Sequence, residues 1–138
     1  RTLVQTMAAA GARAVLVSGG FTRFAEPVAA EIGFHRAVAN RLELAGGKLT
    51  GKVADPVIDS AAKRAELEAE VAALGITAAD ALAVGDGAND APMLAAAGLG
   101  AAYRAHAVAQ AAASASITHG DLTALLWAQG YKRHEWRG

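Results

Sequence analysis

Apolar and polar positions along the chain follow two periods, and the switches between them mark the elements. Leu3 to Ala10 has helical composition, with Gly11 as its stop. Ala14 to Val17 is a short unbroken apolar run. It ends in Ser18-Gly19-Gly20 and reads as a buried strand followed by a tight turn. Thr22 to Ile32 returns to a helical pattern closed by Gly33, with Pro27 inside it implying a kink or a late start. Ala37 to Asn40 is a second short strand. From Arg41 to Val53 the period falls to two: Leu42 and Leu44 alternate with polar residues, Gly46-Gly47 makes a turn, and Leu49 to Val53 alternates back. That is a β-hairpin.

Asp55-Pro56 breaks the chain. Asp59 or Ser60 can cap a helix that runs to Leu74 and closes at Gly75. Ala81 to Val84 is a buried strand ending in Gly85-Asp86-Gly87. Pro92 to Ala97 is helical up to Gly98, Leu99 to Tyr103 is another buried strand, and Val108 to Ala113 and Asp121 to Gln129 are the last helices. Buried strands alternating with helices define an α/β class with a mostly parallel sheet. In such sheets ligands sit beyond the carboxyl ends of the strands. The two turns richest in glycine and polar groups each follow a strand directly, so they are expected at one edge.

The 138-residue length suits one domain, residues 1–138, with one core. Apolar residues make up 54% of it, much of that alanine, so the expected core is built from small side chains. The formal charge is zero, which marks neither a nucleic-acid surface nor an acidic tail. There is no cysteine, so disulfides and thiolate metal sites are excluded. Apolar runs stop well short of the roughly 20 residues of a membrane span. A cytoplasmic protein that binds neither nucleic acid nor membrane is expected.

Two turns carry candidate chemistry. Ser18-Gly19-Gly20 places a hydroxyl and main-chain N–H groups at a strand end before a helix, which can hold an anion. The same tripeptide also describes an ordinary strand-to-helix turn. Gly85-Asp86-Gly87-Ala88-Asn89-Asp90 is sharper, because two carboxylates and an amide on a loop suit Mg²⁺. Capping of the helix at Pro92 accounts for one of those polar residues and leaves the others unexplained. Lys63, near the start of its helix, is misplaced for the helix dipole and could instead neutralise a phosphoryl oxygen. His35, His106, His119 and His134 are scattered, with no i, i+4 pair, so zinc is disfavoured.

Together these strings resemble a known family. Val17-Ser18-Gly19-Gly20-Phe21, then Lys63, then Val84 through Asp90 are similar to the second, third and fourth signature motifs of haloacid dehalogenase-type phosphatases. Phe21 to Phe24, Ala39 to Glu43, Leu49 to Gly51, Pro92 to Leu94 and Asp121 to Leu126 look like the phosphoserine phosphatase branch. The resemblance implies a Rossmann-like core of three layers. It implies Ser18, Gly19, Lys63 and Asn89 on the substrate phosphate, Lys63 stabilising the transferring charge, Asp86 as a Mg²⁺ ligand, and Asp90 supporting metal and lysine from behind. The implied reaction converts phosphoserine and water to serine and phosphate, in serine biosynthesis, through an aspartyl-phosphate. The alternatives are a related phosphatase for another small phosphomonoester, or a non-catalytic module that binds phosphate and Mg²⁺ or a partner.

One departure from the family pattern is large. The first motif, Asp-x-Asp, supplies the nucleophile and the acid/base, yet no two of Asp55, Asp59, Asp80, Asp86, Asp90 and Asp121 stand in that relation. Ser18 is preceded by only 17 residues, so the first strand and the cap have no room. The chain is therefore expected to be the C-terminal portion of such a core, without its central strand and without activity alone. The strands ending at Ser18 and Gly85 would then close on each other, or pair with the missing segment or with another copy.

Overall fold

The computed structural model describes all of residues 1–138. The backbone divides into two compact units. One comprises Arg1–Ile58 with Thr123–Gly138, and the other is Asp59–Leu122. Each unit contains its own three-stranded sheet.

The first unit opens with α1 (Thr2–Ala9), β1 (Val15–Phe21) and α2 (Thr22–Ile32). Then follow β2 (Arg36–Ala45) and β3 (Lys48–Ala54), and α6 (Ala124–Ala128) returns to this unit near the end of the chain. β1 pairs β2 in parallel and β2 pairs β3 antiparallel. The strand and hairpin read separately from the sequence are thus one continuous β2, with its first half serving β1 and its second half β3. At the hairpin tip Gly46 and Gly47 both have positive φ, 56° and 76°, as a two-residue turn matched to strand twist requires. Helix α2 begins at Thr22, with no late start. Pro27 removes the N–H that would bond the Arg23 carbonyl, but both residues lie on the exposed side of the helix, where solvent can serve that carbonyl.

β1 runs further than its apolar run suggests. Ser18 pairs Ala39 and Phe21 pairs Asn40, so Gly19 and Gly20 are extra residues bulged out of the ladder. The opposite edge of β1 has no strand partner.

The second unit holds α3 (Ser60–Leu74), β4 (Leu82–Gly85), α4 (Ala91–Ala96), β5 (Leu99–Tyr103), α5 (Ala107–Ala112) and β6 (Ala115–Ile117). Its sheet is wholly parallel in the order β4-β5-β6, and β4 has one free edge. β6 has too few residues to show a period in the sequence. α3 starts where Asp59 accepts the Ala62 N–H at 2.8 Å and ends at Gly75 in the left-handed conformation. No helix is long and apolar enough to cross a membrane.

Small residues set the packing here. Ala83, Met93, Leu94 and Ala109 form a buried cluster backed by Leu67, Ala97, Ala105 and Ala113. Such a core lets main chains approach closely: a Cβ on Gly98 would run into the Ala79 backbone, and one on Gly100 into the Leu94 backbone. Gly98 follows α4 for this reason and has no positive φ. Because the Leu94 main chain cannot swing aside like a side chain, Gly100→Ala is expected to cost about 1–3 kcal/mol. Urea unfolding of the variant measures it, and an unchanged midpoint would show that α4 yields freely.

Candidate phosphate and metal site

Ser18 and Gly19 belong to the first unit, whereas Lys63, Asp86, Asn89 and Asp90 belong to the second. In the first unit the bulge at the end of β1 folds back on itself. The Gly20 N–H donates to Ser18 Oγ at 3.0 Å, and a Cβ on Gly20 would stand only 3.1 Å from that oxygen. With a lone pair so engaged, the Ser18 hydroxyl proton is free to point at an acceptor outside the turn. The Gly19 carbonyl accepts from Asn40 Nδ2 at 2.8 Å.

In the second unit the organising group is Asp90. Its Oδ1 accepts from Lys63 Nζ at 2.6 Å, and both side chains are almost fully buried, 8% exposed for Lys63 and 6% for Asp90. Its Oδ2 accepts the N–H groups of Asp86 and Gly87, each at 3.0 Å. Gly85 has to be glycine, because a Cβ there would overlap the Asp90 side chain. From the other direction the His106 N–H donates to the Asp86 carbonyl at 3.0 Å. The loop carrying Asp86 is therefore tied on both sides, while the Asp86 side chain stays exposed.

Asp90 does not cap α4: no side-chain capping bond is formed there, although Pro92 sits in the first turn. The carboxylate turns back to the loop and the lysine instead. Burial pushes the Asp90 carboxyl upward, but the Lys63 ammonium and the two main-chain donors outweigh it and hold the group below the usual carboxylate range. Lys63 lies in the first turns of α3, where the helix dipole disfavours a cation, and Asp90 offsets that cost. The ammonium has three donors and gives one to Asp90.

A metal can be weighed against these donors. Both Asp90 oxygens are engaged, and no group of three or more His, Cys, Asp or Glu side chains is placed to hold an ion. Asp86 offers one exposed carboxylate on a braced loop. That fits Mg²⁺, which takes one or two carboxylates together with waters and a phosphate, and it does not fit zinc. Asn89 is exposed in the turn Ala88–Asp90, beside Gly87, where a Cβ would lie 2.7 Å from its Oδ1.

The structure thus gathers Lys63, Asp86 and Asp90 in one unit and orders Ser18 and Gly19 in the other. Sequence reasoning passed over Asn40 and the His106 N–H. Asn40 was detectable as an amide closing an otherwise apolar run; a main-chain donor leaves no trace in residue type.

The second unit is thus a parallel α/β layer with a buried lysine–carboxylate pair beneath an acidic loop at a strand end. The profile of haloacid dehalogenase-like hydrolases matches residues 1–95, and the chain belongs to that family. It is 40% identical over 135 residues to a phosphoserine phosphatase of Mycobacterium tuberculosis, covering 98% of this chain and 33% of that one. A substrate-bound phosphoserine phosphatase complex superposes with a TM-score of 0.84 at 35% identity, over 94% of this chain and 61% of the other. A phospho-aspartyl intermediate analogue of phosphoserine phosphatase gives 0.76 at 38% identity, over 86% and 56%. The chain spans about a third of the curated relative's length.

Breaking the buried pair leaves an uncompensated charge. Lys63→Met and Asp90→Asn are each expected to cost about 3–5 kcal/mol, and the double variant less than their sum. Chemical denaturation of the three variants checks this, and additive losses would mean the two side chains act independently. Because the folded Asp90 value is lowered, its contribution is complete above the unfolded carboxylate value of about 3.9 and fades as pH falls through the folded value. Unfolding at pH 7 and pH 3 should show a smaller pH effect in the Asp90→Asn variant.

Proposed function

We propose that these residues form part of a phosphoserine phosphatase, hydrolysing O-phospho-L-serine to serine and phosphate in the cytoplasm as a step of serine biosynthesis. The observation that supports it most is the buried Lys63–Asp90 pair bracing the Asp86 loop. The likeness to phosphoserine phosphatases across nearly the whole chain adds the substrate.

In this reading Ser18 donates its hydroxyl proton to a phosphate oxygen beside the Gly19 N–H, and Asn89 contacts another. Lys63, held in place by Asp90, neutralises charge developing on the phosphoryl group. Asp86 would hold Mg²⁺, which when bound supplies further neutralisation of the phosphoryl oxygens. An aspartate carboxylate attacks phosphorus, the ester P–O bond breaks, and serine leaves with a proton from a second acid. Water then cleaves the aspartyl-phosphate. Neither aspartate lies among the 138 residues, which contain no Asp-x-Asp. In this reading the chain alone is inactive, and the two catalytic aspartates come from outside these residues.

The test compares two proteins: this chain, and the product of the longest reading frame that contains it. The longer protein should release phosphate from O-phospho-L-serine with Mg²⁺, and Lys63→Ala should lower its kcat on the order of 10²- to 10³-fold. Turnover of phosphoserine by the 138-residue chain would overturn the inactivity. A longer protein that prefers another phosphomonoester would overturn the substrate.

A further inference from the structure

Asn40 is a polar amide at a strand position that is only 7% exposed. Burial of an amide is costly unless both its ends are bonded. Here both are: Nδ2 donates to the Gly19 carbonyl at 2.8 Å, and Oδ1 accepts the Ile58 N–H at 2.7 Å. A carbonyl on one side and an N–H on the other fix which end of the amide is which.

The consequence falls on the Gly19–Gly20 peptide. In a trans peptide the C=O and N–H point in opposite directions. The Gly19 carbonyl is held by Asn40, and the Gly20 N–H is held by Ser18 Oγ. A Gly-Gly peptide is the most mobile backbone a chain can have, yet this one is pinned at both ends. Pinning it also fixes the Ser18 oxygen, because the Gly20 N–H approaches from a set direction.

We infer that Asn40 is a positioning residue for the Ser18–Gly20 turn: its amide locks the Gly19–Gly20 peptide plane and thereby aims the Ser18 hydroxyl at a bound phosphate. The inference rests on Ser18 as a phosphate ligand, but the clamp itself is a ligand-free property. Asn40→Asp keeps an acceptor for Ile58 and removes the donor to Gly19; because the carboxylate also repels a phosphate, the Gly20 amide exchange is the reading that isolates the clamp.

The experiment uses the ¹⁵N-labelled chain and inorganic phosphate as the probe. Three quantities are read: exchange of the Gly20 amide, phosphate-induced shifts at Ser18 to Gly20, and global stability. Exchange of Gly20 should rise about tenfold in Asn40→Asp, the cost of one hydrogen bond, and apparent phosphate affinity should fall by a similar factor. A folded variant with lower stability but wild-type Gly20 exchange and phosphate shifts would reduce Asn40 to a purely structural residue and overturn the proposal. If the variant does not fold, the wild-type protein decides. Slow exchange of the Asn40 side-chain amide protons and of the Gly20 amide supports the clamp, and fast exchange of both overturns it. A wild-type chain that shows no phosphate shifts, while Asn40→Asp loosens Gly20, would sink the phosphate role of Ser18 and leave the clamp standing.

Discussion

The Asp90 carboxylate is the constraint on which the acidic loop depends. It is buried, and its burial is tolerable only because both oxygens are bonded: one to the Lys63 ammonium, the other to the Asp86 and Gly87 N–H groups. Remove the lysine and a charge is stranded; remove the carboxylate and the loop loses two anchors while a cation stays at the unfavourable end of α3. Gly85 then follows as a necessity, since any side chain there would occupy the space of Asp90. A pair of this kind contributes little net stability by itself. What it fixes is where the Asp86 loop sits and where the Lys63 ammonium points.

The four sheet edges differ in a way that bears on assembly. An exposed edge is usually blunted by charge, a bulge or shortness. The β3 edge has Lys48, Lys52 and a left-handed Gly51, and β6 is only three residues long. The free edges of β1 and β4 carry no charged residue and no proline. Beside β1 lies an apolar groove of about 380 Å³ lined by Leu16, Phe21, Phe24 and Val28, with Phe24 69% exposed.

How much of this was legible depended on whether the determining interaction was local. Helix ends were readable where a cap and a glycine did the work: Asp59 and Gly75 bound α3, and Gly33 closes α2. The hairpin was readable because Gly46-Gly47 is a turn with its own φ requirement. The continuity of β2 was not, since two different partners use its two halves and the period changes midway. The bulge at Gly19-Gly20 was missed as strand because glycine and serine signal a turn whether or not a ladder continues past them. Asp90 was recognised as a supporting group from family resemblance alone. Its spacing fits a helix cap equally well, and only the geometry turns it back toward Lys63.

The two loops, one in each unit, share one design despite having different residues. In each, a buried polar side chain fixes a glycine-containing turn: Asn40 holds the Gly19 carbonyl beside the half-buried Ser18, and Asp90 holds the Asp86 and Gly87 N–H groups. Glycine allows the tight approach but contributes no rigidity, so the order must come from a side chain elsewhere in the sequence. That division of labour explains why the solvent-facing groups are easy to nominate from a motif while the groups that hold them are not. It also places the stability cost of both loops on Asn40, Lys63 and Asp90, which are buried, while Asp86 and Asn89 stay exposed.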